Sequence, residues 1–415
     1  YTLLVASELA LACALLVSSA LLVRTVGRMM NTPTGIDADQ VVTTSVQLPV
    51  GSYRSWESVG ETHAAILDQI RLQPGVQTAG GGNFLPLEVG WRGPFSILGM
   101  PAPARPEDAP QAQYHSVSDG YFESLGASLA DGRMFSSLDT PDAQPVVIVN
   151  ESFARSYLGD RAAVGQSILT MTSGIGPLGA NLARRHRLGP PPADGSPRRH
   201  VPPTPFQIVG VVRDIRNAPL GQSVEPAIYF STRQFPFREL FLTVRARDRA
   251  MALAAVRNGL KIAAPTVPLG VVQTWGEKFA KRTAEPRLLM TLLLVFGALA
   301  ALLAALGVYG LFSWSVALRT RELAIRLTLG ATPASVGHLV LRQSATLVIG
   351  GLAAGALLVR TLHHALSAVL FEVSPTDPAA TAGAGAVLLV AALLACVPPA
   401  LRAMRVDPAE GLRVE

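Results

Sequence analysis

Charged side chains that could recognise a partner are concentrated in one short segment, RTRELAIRLTLGATPASV at Arg319–Val336. The segment lies between two very hydrophobic stretches, and its first eight residues carry four charges while the rest carry none. Those charged residues are Arg319, Arg321, Glu322 and Arg326. Guanidinium and carboxylate groups exposed in this way suit the docking of a partner protein.

The spacing within RELAIRLTLGA predicts a short amphipathic helix. Leu323 and Leu327 have the i, i+4 separation of one helical face. Glu322 and Arg326 have the same separation on a neighbouring face, and a surface ion pair there is worth about 0.2–0.5 kcal/mol. Gly330 ends the helix as a C′ glycine. The pattern suits either an anchor that keeps positive charge in the cytoplasm or a docking element for a cytoplasmic protein, and alone it does not decide between them.

Patterns of catalytic and ligand-binding residues are absent from the sequence. It has no G-x-x-x-x-G-K-[ST] phosphate loop, no H-E-x-x-H pair, no zinc-spaced Cys/His set and no G-x-S-x-G elbow. His363, His364 and Glu372 come nearest to a metal cluster, but adjacent histidines in a helix point about 100° apart. Ser118 and Asp119 in VSDGYF have the composition of a turn. We therefore expect no enzymatic activity, no cofactor and no metal ion in this chain.

The overall composition is that of a membrane protein. Hydrophobic residues make up 49% of the 415 residues, charged residues only 15%, and the mean hydropathy is +0.34. Soluble domains carry about 25% charged residues. Arginines supply most of the positive charge, but they cluster beside apolar segments and in one Pro-rich loop, so no nucleic acid is expected as a partner. Cys13 and Cys396 lie in apolar segments, so no disulfide is expected in the polar middle.

Apolar stretches predict four transmembrane α-helices. They are Leu3–Val23, Leu288–Leu318, a third from about His338 to Val359, and Ala379–Val397. No positive charge precedes the first, which favours an uncleaved helix over a signal peptide, and its Glu8 is either functional or exposed at the interface. The second would be roughly 46 Å long and is expected to project beyond the bilayer as a stalk. Asp377 and Pro378 mark the start of the fourth, and Pro398-Pro399 its end.

Arginines in the short loops predict the orientation. The second-to-third loop and the C-terminal tail hold Arg319, Arg321, Arg326, Arg402, Arg405 and Arg413. The third-to-fourth loop has only Arg360, at its edge. By the positive-inside rule, the Arg319 loop and the C-terminus face the cytoplasm, and the long insert between the first two helices faces outward.

The insert mixes strand and helix patterns, so it is expected to be an α+β domain. Its predicted strands are Val41–Leu48, Pro145–Asn150, Phe206–Ile215 and Glu239–Ala246, and its predicted helices are Ser55–Leu72, Glu151–Leu158 and Met251–Ile262. Residues 174–205 are rich in Pro, Gly and Arg and predict a flexible loop, an insertion or an anion-binding patch. The predicted divisions are residues 1–26, 27–286 and 287–415, with the charged segment at 319–336.

The charged segment resembles the cytoplasmic loop signature of FtsX-like permeases, R-x-R/K-E-[IL]-[GA]-[IL]-R-x-[AT]-[LM]-G-A. It matches at Arg319, Arg321, Glu322, Leu323, Ala324, Ile325, Arg326, Thr328, Leu329, Gly330 and Ala331. LFEVSPTDP at Leu370–Pro378 resembles the outer loop that precedes the last helix of this family. PPALRAMRVDPAEGLRVE at Pro398–Glu415 resembles its C-terminal ending, with Gly411 in place of Ala.

Three pieces of the insert resemble the MacB-like periplasmic core domain. They are Val117–Phe135, Pro145–Ile168 and Phe206–Phe230. The opening VASELALACALLVSSALLVRT is most similar to the start of the second half of duplicated, acidobacterial-type orphan permeases. That similarity would explain why the sequence does not begin with Met.

The resemblance implies a membrane protein of the bacterial inner membrane, with four transmembrane helices and a large MacB-like extracytoplasmic domain between helices 1 and 2. It implies a non-catalytic permease subunit of an ABC-type transporter or mechanotransmission complex, which couples a separate cytoplasmic ATPase to movement of its outer domain, for export. The ATPase would bind the ATP. Its docking residues would be Arg319, Arg321, Glu322, Arg326 and Gly330, with a second contact at Arg402, Arg405 and Asp407.

Other partners and functions stay open at this point. The resemblance implies a second permease half or a homodimer, the lipid bilayer, and a periplasmic partner. The alternatives are a regulator of an extracytoplasmic partner such as a cell-wall hydrolase, a membrane-anchored sensor or binding module without an ATPase, and an enzyme with an outer active site.

Overall fold

The computed structural model describes residues 2–31, 35–36, 41–88, 90–101, 105, 108–170, 204–216, 223–319, 322, 325–326, 329, 332–361 and 377–404. They form two compact units. One comprises Tyr1–Thr32 and Arg282–Glu415, and we refer to it as the helical unit. The other comprises Pro33–Lys281 and is the sheet unit. The predicted loop at residues 174–205 lies almost wholly outside the described residues, as do His363, His364 and Glu372.

The elements are numbered in chain order. The helices are α1 (Thr2–Asn31), α2 (Trp56–Arg71), α3 (Tyr121–Ser124), α4 (Glu151–Phe153, continued as a π-helix over Ala154–Leu158), α5 (Arg249–Ala263), α6 (Trp275–Leu318), α7 (Pro333–Thr361) and α8 (Pro378–Met404). The strands are β1 (Val41–Gln47), β2 (Val76–Gly82), β3 (Trp91–Ile97), β4 (Gln111–Val117), β5 (Leu129–Gly132), β6 (Val146–Asn150), β7 (Ser167–Thr170), β8 (Pro205–Val212), β9 (Ala227–Ser231), β10 (Glu239–Ala246) and β11 (Gln273–Thr274).

The strands of the sheet unit form one mixed sheet in the order β11-β1-β10-β2-β4-β3-β7-β8-β6-β9, with β5 paired to β8. Strands β4 and β9 also pair in parallel, with Gln113 opposite Ala227. This additional pairing closes β4, β3, β7, β8, β6 and β9 into a complete circuit. Phe95, Phe206 and Ile228 belong to the hydrophobic cluster packed within this part of the unit, and each is fully buried.

The other arm of the sheet, β1-β10-β2, packs against α2 and α5. Ile66 and Ile70 of α2 and Val256 of α5 are buried in the same cluster as Val244 of β10. Helix α2 begins where predicted, because Ser55 is its N-cap and accepts a hydrogen bond from the backbone N–H of Ser58 at 3.1 Å. The apolar residues of α2 lie on one face, and this face is the one that packs against the sheet and α5.

The predicted elements of the insert are largely confirmed, with two differences in detail. The strand predicted over Phe206–Ile215 ends at Val212. The helix predicted over Glu151–Leu158 changes to π geometry after Phe153, with the backbone N–H of Gly159 bonded to the carbonyl oxygen of Ala154. A π-helical turn widens the hydrogen-bonded ring by one residue, and sequence periodicity does not reveal it.

In the helical unit, α1 packs against α7 and α8, and α7 packs against α8. Among the described residues, three helical stretches are long and apolar enough to cross a membrane: Leu4–Arg28, Thr283–Leu318 and Pro378–Arg402. Helix α7 contributes a shorter apolar stretch, Val348–Thr361. The prediction of four transmembrane helices therefore stays a prediction: three of the predicted spans coincide with long apolar helices, and the third coincides with a shorter apolar stretch.

Helix α8 begins as predicted and ends later than predicted. Asp377 caps it by accepting hydrogen bonds from the backbone N–H groups of Ala379 and Ala380, at 2.9 and 3.0 Å. The helix does not stop at Pro398-Pro399 but continues to Met404. The four residues Leu388, Ala392, Cys396 and Ala400 are buried at i, i+4 spacing on both sides of the prolines. Packing of this face holds the helix together where two backbone donors are missing.

Candidate functional site

The described residues of the charged segment carry the predicted helix-surface ion pair. Arg319 follows α6 in a turn, and its N–H bonds the carbonyl oxygens of Ser315 and Val316, both at 3.2 Å. Glu322 and Arg326 are helical, and Nη2 of Arg326 donates to Oε1 of Glu322 at 2.7 Å. Both side chains are about half exposed, at 46% and 52%. Arg321 and Gly330 lie outside the described residues.

Two exposed apolar side chains accompany this ion pair. Ile325 is 42% exposed and Leu329 is 82% exposed. The N–H of Leu329 bonds the carbonyl oxygen of Ile325 at 3.1 Å, so the two follow each other along a helical turn. Leu323 and Leu327, the apolar pair expected from the sequence, lie outside the described residues. The i, i+4 spacing of Ile325 and Leu329 was an equally good signal in the sequence, and it was missed.

Arg402, one residue of the second predicted docking contact, lies beside α6. The guanidinium carbon of Arg402, on α8, is 6.0 Å from the ring centroid of Tyr309 on α6. Arg402 is exposed. Arg405 and Asp407 lie outside the described residues. The C-terminal ends of α6 and α8 therefore occupy the same end of the helical unit, and the charged segment follows directly from the first of them.

The opposite end of the helical unit is held by a different ion pair. Arg24, near the end of α1, donates to the carboxylate of Asp377, which caps the start of α8. Because α8 runs from Asp377 toward Arg402, Asp377 lies at the end of the helical unit remote from the last residues of α6.

Two glycines of α7 set how closely it approaches α1. A Cβ built on Gly351 would lie 2.7 Å from Cβ of Leu9. A Cβ built on Gly355 would lie 2.5 Å from Cβ of Cys13 and 2.8 Å from the carbonyl oxygen of Ala10. Such distances are too short for any side chain larger than hydrogen. Gly351 and Gly355 form a G-x-x-x-G pattern, which brings membrane helices into close contact. The pattern is visible in the sequence, but this helix contact was not predicted from it.

The beginning of α6 is fixed within the sheet unit by a capping box. The backbone N–H of Glu277 donates to Oγ1 of Thr274 at 3.2 Å, and Oε2 of Glu277 accepts from the N–H of Thr274 at 3.0 Å. Oε1 of the same carboxylate accepts from Nη1 of Arg249 at 2.6 Å. These bonds to Thr274 and Arg249 lower the pKa of the Glu277 carboxyl group. Trp275, the first residue of α6, is 1% exposed.

One turn further, a nearly buried lysine ties α6 to a loop of the sheet unit. Nζ of Lys278 donates to Oε1 of Glu88 at 2.7 Å and lies 5.9 Å from the ring centroid of Phe241. The side chain of Lys278 is 8% exposed and that of Glu88 is 21% exposed. Oε2 of Glu88 also accepts from the N–H of Leu85 at 3.1 Å. We refer to Thr274, Trp275, Glu277, Lys278 and Glu88 as the α6 clamp.

Two histidines of the sheet unit are buried in the neutral form. His63 and His115 are 1% and 3% exposed, and burial lowers the pKa of each to about 4. His115 contacts Oε1 of Gln113 through Nε2 at 3.1 Å, whereas neither ring nitrogen of His63 has a hydrogen-bond partner among the described residues. Desolvation disfavours the imidazolium form in both cases.

Possible metal ligands and the Ser118–Asp119 pair complete the description of the polar residues. None of its His, Cys, Asp and Glu residues form a group of three that could hold a metal ion. Ser118 and Asp119 form the turn predicted from their types. Oγ of Ser118 donates to the carbonyl oxygen of Asp119 at 2.8 Å, and the Asp119 carboxylate pairs with Arg71 and Arg233 at 3.3 and 3.4 Å. These contacts are structural.

Sequence comparison gives two family matches that together cover most of the chain. The MacB-like periplasmic core domain matches residues 2–260, and the FtsX-like permease C-terminal domain matches residues 294–408. The second match includes the whole charged segment. The first includes α1 and almost all of the sheet unit up to α5.

Curated relatives match the chain over part of their own length. The pyoverdine export ATP-binding/permease protein PvdT of Pseudomonas syringae pv. tomato is 27% identical over 340 residues, which is 77% of this chain and 45% of that protein. The protein of the same name from P. syringae pv. syringae is 26% identical over 339 residues. The chain thus spans about half the length of the curated relatives it matches.

Comparison with solved structures gives matches to two extracytoplasmic regions. The periplasmic region of MacB from Actinobacillus actinomycetemcomitans is 13% identical, covers 62% of this chain and 98% of that one, and has a TM-score of 0.36. The extracellular domain of the noncanonical ABC-type transporter YknZ from Gram-positive bacteria is 9% identical, covers 54% and 93%, and has a TM-score of 0.31. With scores this low, the family assignment rests on the sequence matches.

Proposed function

Because this chain belongs to the family of FtsX-like and MacB-like ABC transporter permeases, we propose that it couples a separate cytoplasmic ATPase to movement of its extracytoplasmic domain, for export. As a permease subunit it has a MacB-like extracytoplasmic domain and an FtsX-like membrane domain, and the family places it in the inner membrane. The ATPase, in this proposal, binds and hydrolyses ATP, and the permease responds mechanically.

The observation that carries the proposal is the exposed charged surface directly after α6. Glu322 and Arg326 are paired at 2.7 Å, and Ile325 and Leu329 are exposed on the same short segment. An exposed ion pair contributes little to stability, because solvent screens it and its side chains lose entropy. Its position at the end of a long helix therefore favours a role in recognition, with the charges setting orientation and the apolar groups adding contact area.

The proposed route for the motion is α6 itself. It runs as one helix of 44 residues from Trp275 to Leu318, which corresponds to about 66 Å. Its first turns belong to the α6 clamp of the sheet unit, and its last residue precedes the charged segment. A helix transmits displacement along its axis better than a chain with loops, because successive turns are joined by hydrogen bonds, of which Pro286 removes one since proline has no N–H.

We also propose that the charged segment and the C-terminal tail face the cytoplasm. Arg402 lies beside Tyr309 near the C-terminal end of α6, so the tail and the charged segment begin at the same end of the helical unit. The arginines of both segments support a cytoplasmic location. Export is the proposed direction because PvdT, a relative at 27% identity, is an export protein by name.

Co-purification with a cytoplasmic ABC ATPase tests the docking surface. The detergent-solubilised protein and its Glu322→Arg variant would be isolated from the native cells, and bound proteins identified by mass spectrometry. We expect the wild-type chain to retain the ATPase and Glu322→Arg to lose most of it. Glu61→Arg is a matched control, because Glu61 is an exposed carboxylate on α2 of the sheet unit. Equal recovery with all three proteins would refute the assignment.

A charge-swapped variant distinguishes docking from helix stability. Glu322→Arg combined with Arg326→Glu restores an i, i+4 pair of opposite charges while inverting its direction. If the partner recognises the Glu322 carboxylate, the double variant stays defective. If the pair only stabilises the helix, the double variant recovers binding. ATPase activity in reconstituted vesicles gives a second readout of the same comparison.

A further inference from the structure

A cavity of about 400 Å³ lies between α1 and α6 in the helical unit. Leu4, Glu8, Gly307, Leu311 and Trp314 are among the residues that line it. Glu8 comes from the first turns of α1 and Trp314 from the last turns of α6, so the cavity is near one end of the bundle. That end is the one from which the charged segment begins.

The carboxylate of Glu8 faces this cavity without a partner from the described part of the chain. Its side chain is half-buried. A Cβ atom built on Gly307 would lie only 2.6 Å from Oε2 of Glu8. A carboxylate in a membrane helix is costly unless it faces water, pairs with a cation or accepts hydrogen bonds. The glycine leaves room for the carboxylate, and the cavity leaves room for what it binds.

The remaining walls describe the chemistry of the occupant. Leu4 and Leu311 supply apolar surface, and Trp314, 54% exposed, supplies an indole ring. An indole face attracts an ammonium group, and tryptophan is enriched at the level of lipid headgroups. Ca²⁺ and Mg²⁺ require several oxygen ligands, whereas the described lining offers a single carboxylate. An amphiphile with an ammonium group therefore fits better than a metal ion.

We propose that this cavity binds the primary ammonium headgroup of a membrane phospholipid, with Glu8 accepting its N–H groups. A primary ammonium has three donors for the carboxylate, whereas a trimethylated one has none. The acyl chains would then leave along the apolar walls toward the bilayer. Such a bound lipid would fill the space between α1 and α6 at the end where α6 continues into the charged segment.

Native mass spectrometry of the purified full chain tests the proposal directly. The protein would be released from micelles containing equal amounts of phosphatidylethanolamine, phosphatidylcholine and phosphatidylglycerol, and the bound lipids counted. We expect roughly tenfold retention of phosphatidylethanolamine over the other two, the effect of one charge-assisted hydrogen bond. Glu8→Gln should abolish this preference. Equal retention of the three lipids by the wild-type chain would overturn the proposal.

Two glycine variants distinguish a loss of the binding site from a loss of folding. Gly307→Ala should displace the carboxylate and reduce the preference, whereas Gly350→Ala, with open space around its new Cβ, should not.

Soluble ethanolamine should fail to compete with the bound lipid, and competition at equal concentration would identify a site for a free amine instead. If the wild-type chain were a dimer and Glu8→Gln a monomer, with no change in bound lipid, a second copy of the chain would occupy the cavity and the lipid assignment would be overturned.

Discussion

Replacing Lys278 by methionine should loosen the beginning of α6 while leaving the rest of the sheet unit folded. Methionine keeps most of the length and apolar volume of the side chain but removes the ammonium group. The carboxylate of Glu88 then loses the partner that lies 2.7 Å away, and keeps the hydrogen bond from the N–H of Leu85. The change therefore removes the charged end of Lys278 from the α6 clamp.

The size of the effect follows from the burial of the two groups. Removing one member of a fully buried ion pair destabilises a protein by about 3–5 kcal/mol, because the other charge stays buried. The Glu88 side chain is 21% exposed, so water partly solvates it. We therefore expect a loss of about 2–3 kcal/mol in the local stability of the first turns of α6, which corresponds to a roughly 30- to 160-fold change in an opening equilibrium.

Hydrogen exchange of the detergent-solubilised protein measures this opening. Peptides that cover the first two turns of α6 should exchange faster by that factor in Lys278→Met, while peptides from β8 and β10 should be unchanged. Lys281→Met is the matched control, because Lys281 is exposed and, among the described residues, donates a hydrogen bond only to Gln273, at 3.3 Å. That variant should differ from the wild-type protein by less than about twofold.

A double variant sharpens the test. Combining Lys278→Met with Glu88→Met removes both charges, and an apolar pair in place of a buried ion pair is often neutral or stabilising. Protection in the first turns of α6 should then return at least in part. If Lys278→Met exchanged like Lys281→Met, the ion pair would have no part in holding α6.

Two further predictions concern other parts of the chain. Gly355→Ala should lower thermal stability by about 1–3 kcal/mol, because its Cβ would overlap that of Cys13, whereas Gly350→Ala should not lower it; unchanged melting of both would contradict close packing of α1 and α7. Burial lowers the pKa of His63 and His115 to about 4 from the usual 6.5, so the unfolded state binds protons first as pH falls. Thermal unfolding should therefore show stability that is complete above pH 6.5 and declines toward pH 4, by up to about 3 kcal/mol per histidine, with a smaller decline in His63→Leu.

The parts of the fold that local sequence decides were predictable. Ser55 identified the start of α2, Asp377 and Pro378 the start of α8, and alternating apolar residues the bounds of β10. In each case the interaction joins residues only a few positions apart, or depends on a pattern within one element. The predicted Glu322–Arg326 pair belongs to the same class, since i, i+4 neighbours meet whenever a helix forms.

Features that depend on distant residues were not predictable in this way. No local pattern in GEKFAK distinguishes Lys278, because its partner Glu88 is 190 positions away in the sequence. The continuation of α8 through Pro398 and Pro399 depends on burial against other helices, and two prolines read locally indicate a stop. The docking role of the charged segment stays a prediction, because recognition depends on a partner surface that no single sequence contains.

The pairing of β11 with β1 has a consequence for the order in which the protein is made. Strand β1 needs Gln273 and Thr274 opposite Thr43 and Val42, and β4 needs β9, which follows it by more than a hundred residues. During synthesis the sheet stays open until nearly all of the insert has crossed the membrane, and contacts of such long separation form slowly. The last strand to arrive is followed at once by α6, so the next membrane helix leaves the ribosome directly after the strand that completes the sheet. Slow passage of the chain through the translocon at that point would allow the domain to finish folding before α6 is inserted.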